Sequence, residues 1–566
     1  MKRCYYILVF FFLLIGASSI ALAQTDTLPA TGVTIVSSFR PTLKQAPKIH
    51  FSAAALTVDT TRPVLPYVVP HRQLTLDNSV RSVQPQAYAI DTAQPFSNRS
   101  FIKLGYGNLR SPYVRGGINI GNGLSNGLSI TGRYFSLTQR PEKSDMRFYR
   151  LTELKADGYT QLKRTPLQLS SAIGFKSEIV NNNFFYDTSR APLSFPKDTI
   201  RQQFSLLSAL LHLRSTAPMA SGISISPLVR FYRFFDQRNN TETTVQLQAP
   251  LQKQIGENWM VQTSFSLGAI RYAHLKSLAP TGMPDTIISN TLVSITPSIR
   301  YQQNSFQLQA GVSPSWSNDR FAVLPQLALS HRLPSNKASL LLGWNGSWVQ
   351  NSYRELSTLN PWIWAPSALR NSILTERYVG VKGQVNARLQ YELRASYNSM
   401  TDQPLFLQDT NRAPSNGFLV VYEDKLDQIQ FNANLHYQVG EHFRLSSRFV
   451  LNHFFKLQSQ AAPWGLLPLE WETSLRVAIT DELWLQSGLV LFRGGQSIDT
   501  YKEGTRAKGA ADLNAALSFR LSRSLQLWAQ FNNLFDQPYQ RWGRNPVFGF
   551  NCNGGIVFSF NEKKNP

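Results

Sequence analysis

Cysteine, histidine and acidic residues are all scarce in this 566-residue chain: two Cys, eight His, and 34 Asp and Glu against 57 Lys and Arg. Cys4 lies in an N-terminal apolar segment and Cys552 then stands alone, which excludes an intramolecular disulfide and a cysteine-based zinc site from the exported chain. Cys552 reads as a small apolar residue. The histidines (50, 71, 212, 274, 331, 436, 442 and 453) form neither H-x-x-x-H nor H-E-x-x-H, so a metalloprotease lacks its ligands. His436 and His442 flank one short turn, where they either share a metal or sit hydrated at an interface. A G-x-S-x-G elbow is also missing. No catalytic, cofactor-binding or metal residue is expected, no cofactor, and no enzyme activity.

Charged residues make up 16% of the chain, against roughly a quarter in soluble domains, too few to solvate the several domains this length implies. Beyond about residue 25 no apolar run approaches the ~20 residues a helix needs to cross a bilayer, which excludes a polytopic helical membrane protein. What is present is 42% hydrophobic and 12% aromatic residues in a chain of mean hydropathy −0.22. That mixture suits a sheet with one face in lipid and one in water.

The chain opens on Met1-Lys2-Arg3, an apolar stretch from Tyr5 to Ile15, and Ala21-Leu22-Ala23 before Gln24. A basic start, a core too short to anchor and an A-x-A site predict a secretory signal peptide over residues 1–23. No Cys follows the cleavage site, so a lipid anchor is not expected. The net charge of +23 becomes +21 without Lys2 and Arg3. Export argues against nucleic acid as the partner. The excess charge either meets an anionic lipid surface or solute, or lies in a wet lumen and at lipid headgroups.

From Gln24 to about Asn98 eight prolines (29, 41, 47, 63, 66, 70, 85 and 95) recur without period. Proline removes backbone donors, so residues 24–98 are expected to be an extended leader, periplasmic or inserted in a lumen. From Phe101 onward the pattern is period-two alternation. Leu389, Tyr391, Leu393, Ala395 and Tyr397 alternate with Arg388, Gln390, Glu392, Arg394, Ser396 and Asn398; the same holds for 428–437, 443–452 and 512–521. Each such segment offers one apolar and one polar face.

Partition at turn signals predicts about 22 strands, nearly all long enough for the ~10 residues of a tilted membrane strand. The long connections (138–147, 181–198, 274–286, 350–371, 400–416, 457–467 and 497–506) all follow odd-numbered strands. The connections after even-numbered strands are short. The expected fold is all-β: a transmembrane antiparallel outer-membrane β-barrel over 99–560, with both termini and the short turns in the periplasm and a tail at 561–566.

The segment Leu527–Trp542 (LWAQFNNLFDQPYQRW) followed by Pro546–Phe560 (PVFGFNCNGGIVFSF) resembles the last hairpin of TonB-dependent outer-membrane receptors. It has their Asn-Leu-Phe-Asp corner, a following Tyr, a glycine-containing last strand and a closing Phe, with Gly549-Phe550 where the family has Gly-Arg. Leu356–Gly383 resembles their loop-to-strand segment, with Asn-Pro followed by Glu, an aromatic and Gly-x-Lys. The resemblance implies a Gram-negative outer-membrane barrel acting as a channel or receptor for solute uptake, in contact with lipid, lipopolysaccharide and barrel-insertion machinery. It also implies TonB, or a periplasmic or lipoprotein partner. The leader of roughly 75 residues is shorter than the family's plug domain and resembles a plug-less subset, which leaves energised import open. The alternative is a non-transporting barrel that scaffolds an outer-membrane assembly. Thr31 to Val36 is the candidate TonB-contacting stretch, pairing by β-augmentation.

Inward-facing charges form the expected solute-contacting or wall-bracing set: Glu392 with Arg394, Arg444 with Arg448, Glu470 with Glu472 and Arg476, and Asp512 with Arg520. Phe184, Phe185 and Tyr186, and Trp362 with Trp364, are expected either to grip a carbohydrate or partner or to form an aromatic girdle. Ile556, Phe558 and Phe560 are expected to face lipid together with Phe548, and Phe560 to serve as the insertion signal.

Overall fold

A computed structural model describes residues 99–121, 125–139, 147–181, 201–274, 285–334, 337–409, 417–498, 508–537, 539–542 and 545–561. The leader, Thr31 to Val36 and Phe184 to Tyr186 lie outside the described residues. From Arg99 to Asn561 the chain forms a closed antiparallel barrel of 22 strands, and a short α-helix at Tyr353–Leu359 lies among the described residues. Each strand pairs with its sequence neighbours, and Arg99–Gly107 pairs with Asn551–Asn561 to leave no edge.

Alternation sets the two faces. Along Leu228–Asp236, Val229, Phe231 and Phe235 are exposed on the outside while Phe234 and Asp236 are buried inside. Along Phe418–Val439, Ile429, Phe431 and Leu435 point out, and Gln428, Gln430 and Asn432 point into the lumen. An exposed apolar band therefore encircles the wall, as a barrel in lipid requires. Among the described residues no helix is long and apolar enough to cross a membrane.

Short connections join strands at the end that carries both barrel termini, and several use left-handed residues: Gly256, Asn304 and Gly440. The long connections all emerge at the opposite end. Ser226-Pro227 interrupts one strand, splitting it into Ile223–Ile225 and Leu228–Asp236, because proline cannot donate to the ladder.

The closing seam is packed from within. Lys103 is buried, with its ammonium 4.0 Å from the Trp528 ring centroid and 5.3 Å from that of Tyr113. Trp528 Nε1 donates to the Leu104 carbonyl at 3.2 Å, crossing the intervening strand. Gly105 makes room for it: a Cβ there would lie 2.3 Å from the Trp528 ring.

Two expected boundaries shift. The stretch 400–408 was expected in a loop, yet one strand runs Leu389–Gln408 and pairs with Phe418–Val439 as far as Gln408↔Phe418. Leu405, Phe406 and Phe418 bury their side chains there, and that long-range gain outweighs the turn signal of Pro404. Of the segment Pro546–Phe560 that resembles the receptors' last strand, only the part from Asn551 is barrel strand, because Val547 and Phe548 fold inward and are buried. Phe548 therefore does not face lipid, whereas Ile556, Phe558 and Phe560 do.

Candidate functional site

Three connections at the long-loop end fold over the barrel mouth instead of projecting from it. The first, 350–371, is tied at both ends. Gln350 Nε2 donates to the carbonyls of Gly268 (3.0 Å) and Asn290 (3.1 Å), and Asn351 Nδ2 to the Arg370 carbonyl (2.7 Å) and Ser372 Oγ (2.8 Å). Asn290 and Asn371 exchange side-chain amide bonds at 2.6 Å in each direction.

Between these ties, Ser352 caps the helix Tyr353–Leu359, its Oγ accepting from Glu355 N. Glu242, buried on the inner wall, accepts from the N–H groups of Tyr353 (2.6 Å) and Arg354 (3.3 Å). An acceptor of negative charge at a helix start satisfies otherwise orphaned donors. The Tyr353 hydroxyl donates to Asp236 Oδ2 at 2.6 Å, and Asn240 Nδ2 donates to the same oxygen at 2.8 Å. Tyr272 Oη and His274 Nδ1 lie 2.6 and 2.9 Å from Asn240 Oδ1. Burial, then the Asp236 carboxylate, pushes the Tyr353 phenol well above its ordinary value, so it stays a donor.

The other two connections meet this helix at Trp542. Its Nε1 donates to the Leu359 carbonyl at 2.9 Å. Its ring packs edge-on against Phe406 and Phe418 at 5.0 and 5.7 Å, and a Cβ on Gly465 would come within 2.8 Å of it. Arg541 Nη2 donates to the Gly465 carbonyl at 2.7 Å. Leu356, Leu359, Ile363, Trp464 and Leu466 fill the space around, forming an apolar core across the mouth.

The corner motif has a mechanical reason. Asn533 and Asp536 both take left-handed backbone, and the Asn533 side chain bonds Gln537 and the Phe548 carbonyl. Asp536 Oδ1 accepts from Phe550 N at 2.7 Å, and Tyr539 donates to Asp512 at 2.8 Å. The motif thus turns the chain inward and delivers Trp542.

A second carboxylate holds the connection that follows Phe455. Glu423 accepts from the backbone N–H groups of Gln458, Ser459 and Gln460 at 2.7 to 2.9 Å. It lies six residues, roughly 20 Å along a strand, beyond lipid-facing Ile429, outside the apolar band. Burial pushes its carboxyl up, but donation by Ser459, Gln458, Gln460 and Lys425 outweighs this and leaves it below the ordinary value.

Beneath the core the lumen wall is rich in amides. Gln428 Nε2 and Gln430 Nε2 both donate to Asn452 Oδ1 (2.7 and 2.9 Å), and Asn452 Nδ2 donates to the Leu467 carbonyl (2.9 Å).

The expected inward charges are brought together only in part. Arg394 pairs with Glu376 at 3.5 Å and lies over the Tyr378 ring, while Glu392 sits in register with Lys382. Arg448 faces Glu472, but Arg444 faces Arg476. Asp512 and Arg520 stand at opposite ends of the strand Ala510–Arg520 and do not meet. Trp362 is buried in the mouth core and Arg238 lies over Trp364 at 5.0 Å, so neither tryptophan belongs to a lipid girdle. His436 is bonded to Ser446 and Gln438. Glu242, Tyr353, Asn290 and Trp542 escaped sequence reasoning. Only the helix cap Ser352 with Glu355 three residues on carried a local signal for any of them.

No family model matches this sequence, and no curated protein does. Solved structures match the fold. The siderophore receptor PirA from Acinetobacter baumannii superposes with a TM-score of 0.62 at 9% identity, over 86% of each chain. The fold is that of a TonB-dependent receptor barrel. The FrpB iron transporter from Neisseria meningitidis (F5-1 variant) gives 0.61 at 10% identity, over 82% of each chain. The ferric-catecholate import receptor Fiu from K12 E. coli, in its closed form, gives 0.60 at 10%, over 85% of this chain and 84% of that one. These neighbours are receptors and transporters, not enzymes.

Proposed function

We propose that this protein is an outer-membrane receptor-type barrel for solute uptake, gated at its extracellular mouth by its own loops. The observation that supports it is the convergence of three connections on Trp542 above an amide-lined lumen. A receptor must hold a wide barrel shut until its solute arrives, and a packed core spanning loops can be displaced as a unit. In this reading residues 1–23 direct export to a Gram-negative envelope, barrel-insertion machinery places 99–560 in the outer membrane, and 24–98 lies in the periplasm or the lumen. Thr31 to Val36 is the stretch offered to TonB or another periplasmic or lipoprotein partner by strand addition.

The test is planar-bilayer conductance of the full chain beside chains lacking 352–369, 48–94 or both. The Asn351 side chain bonds the Arg370 carbonyl, so the ends left by the first deletion lie near each other and are joined by a short glycine linker. The full chain is expected to stay closed and the double deletion to conduct steadily, with intermediate behaviour for the single ones. A double deletion that does not conduct would overturn uptake and favour a scaffold barrel.

A further inference from the structure

We propose that the inner wall at the short-turn end of the barrel carries a binding site for the phosphate group of a phosphorylated solute. The proposal rests on reading the lumen as a path for solute uptake. The strand Phe443–Phe455 follows the turn 440–442 and pairs with Leu469–Ala478, which the short connection 479–482 joins to Leu483–Arg493. Parity points Arg444, Ser446 and Arg448 inward from the first strand, and Glu472, Ser474 and Arg476 inward from the second. Register sets Arg448 opposite Glu472, Ser446 opposite Ser474, and Arg444 opposite Arg476. The first of these pairs is complementary. The last brings two cations side by side, their Cβ atoms within about 5.5 Å.

Like charges directly opposite each other destabilise a sheet, and the wall does not relieve these two. Among the described residues neither arginine has a hydrogen bond or an ion pair, and Nε and Nη2 of Arg476 are buried without a partner. Trp484 is buried beneath the Arg476 guanidinium, its ring centroid 4.6 Å away, which seats the fork against the wall. Next along the row stands Gln486, 2% exposed, with its Oε1 unpartnered. The row above brings hydroxyls, not carboxylates: Ser446 Oγ lies 2.9 Å from His436 Nδ1, and Ser474 Oγ donates to the Ser446 carbonyl at 3.4 Å. Glu441, exposed in the turn, pairs with neither arginine.

Two uncompensated guanidiniums call for a dianion. Each presents a planar fork of donors. A phosphate group carries a charge of about −1.5 to −2 near pH 7 and several acceptor oxygens, so it satisfies both forks together. A carboxylate brings one charge and leaves an arginine unmatched.

The experiment is isothermal titration of the full chain in mild detergent with inorganic phosphate, glycerol phosphate or acetate, at an ionic strength fixed by chloride, beside thermal unfolding of the same samples. Glycerol phosphate should bind at least as tightly as inorganic phosphate, and both should raise the unfolding temperature. Acetate should do neither. Arg444→Gln and Arg476→Gln should each weaken phosphate binding roughly tenfold, the size of a lost charge-assisted contact. Without phosphate the same variants should unfold at a higher temperature than the parent chain, because the repulsion is gone. An arginine that only braced the wall would not give both changes. Lys155→Gln, a lumen cation already paired with Asp157 at 2.7 Å, should leave phosphate binding unchanged. Binding of inorganic phosphate alone, equal binding of acetate, or unchanged phosphate binding in both arginine variants overturns the proposal. Binding is read without conduction, so a chain that conducts yet binds no phosphate overturns this site and leaves the uptake reading standing.

Discussion

The barrel wall and the mouth are built from the same strands under opposite rules. Along the wall each side chain's environment follows from its parity: Ile429 and Phe431 meet lipid, and Gln430 and Asn432 meet the lumen. At the mouth parity says little. Trp542, Leu359, Phe406 and Gly465 come from four separate segments and meet only when all are in place. Local order is robust to a change at one position, whereas a core assembled from distant loops depends on its shared contacts.

Trp542→Ala tests that dependence most severely. Removing a buried tryptophan costs about 3 to 5 kcal/mol. Because the barrel ladder does not pass through Trp542, the loss should appear as loop opening. Hydrogen exchange at 353–359 and 462–466 should rise sharply while heat-modifiable migration persists. A barrel that fails to fold would show the two regions are not separable.

The wall is tested by comparing neighbours on one strand. Ala433 faces out near the middle of the apolar band and Asn434 faces in. Ala433→Arg should destabilise the barrel by about 2 to 4 kcal/mol, and Asn434→Arg by little. Denaturant titration in lipid vesicles measures both. Equal losses would mean that the faces are misassigned.

The smallest effect sharpens the boundary between the regions. Glu423 has a depressed folded pKa, so its contribution is present above the ordinary carboxylate value and is lost as pH falls through the lower, folded one. Below about pH 4 the amides of Gln458, Ser459 and Gln460 should lose protection while strand amides keep theirs. Glu423→Gln should produce the same loss at neutral pH, roughly tenfold, and remove the pH dependence.

The wall was legible because its rule is local. The alternating segments at 388–398 and 428–437 announce faces that the structure keeps, and the long connections fall at one end as expected. The mouth was legible only at its entrance. The Asn-Leu-Phe-Asp corner marked a turn, but the burial of Phe548 and Trp362 left no trace in spacing. A tryptophan in a loop reads alike whether it faces lipid, a ligand or another loop. The run at 400–408 misled for a related reason, since proline and polar neighbours signal a loop until a partner strand supplies the ladder.

By itself the sequence determined a period-two chain too poor in charge for a solvated surface and too broken for transmembrane helices, so a closed sheet in lipid was the remaining way to satisfy its backbone. Tertiary structure alone decided that Glu242 would cap a helix 111 residues away and that Trp542 would join three loops. Such pairings depend on barrel closure, which sets distant strand ends side by side, and no local pattern encodes which ends will meet.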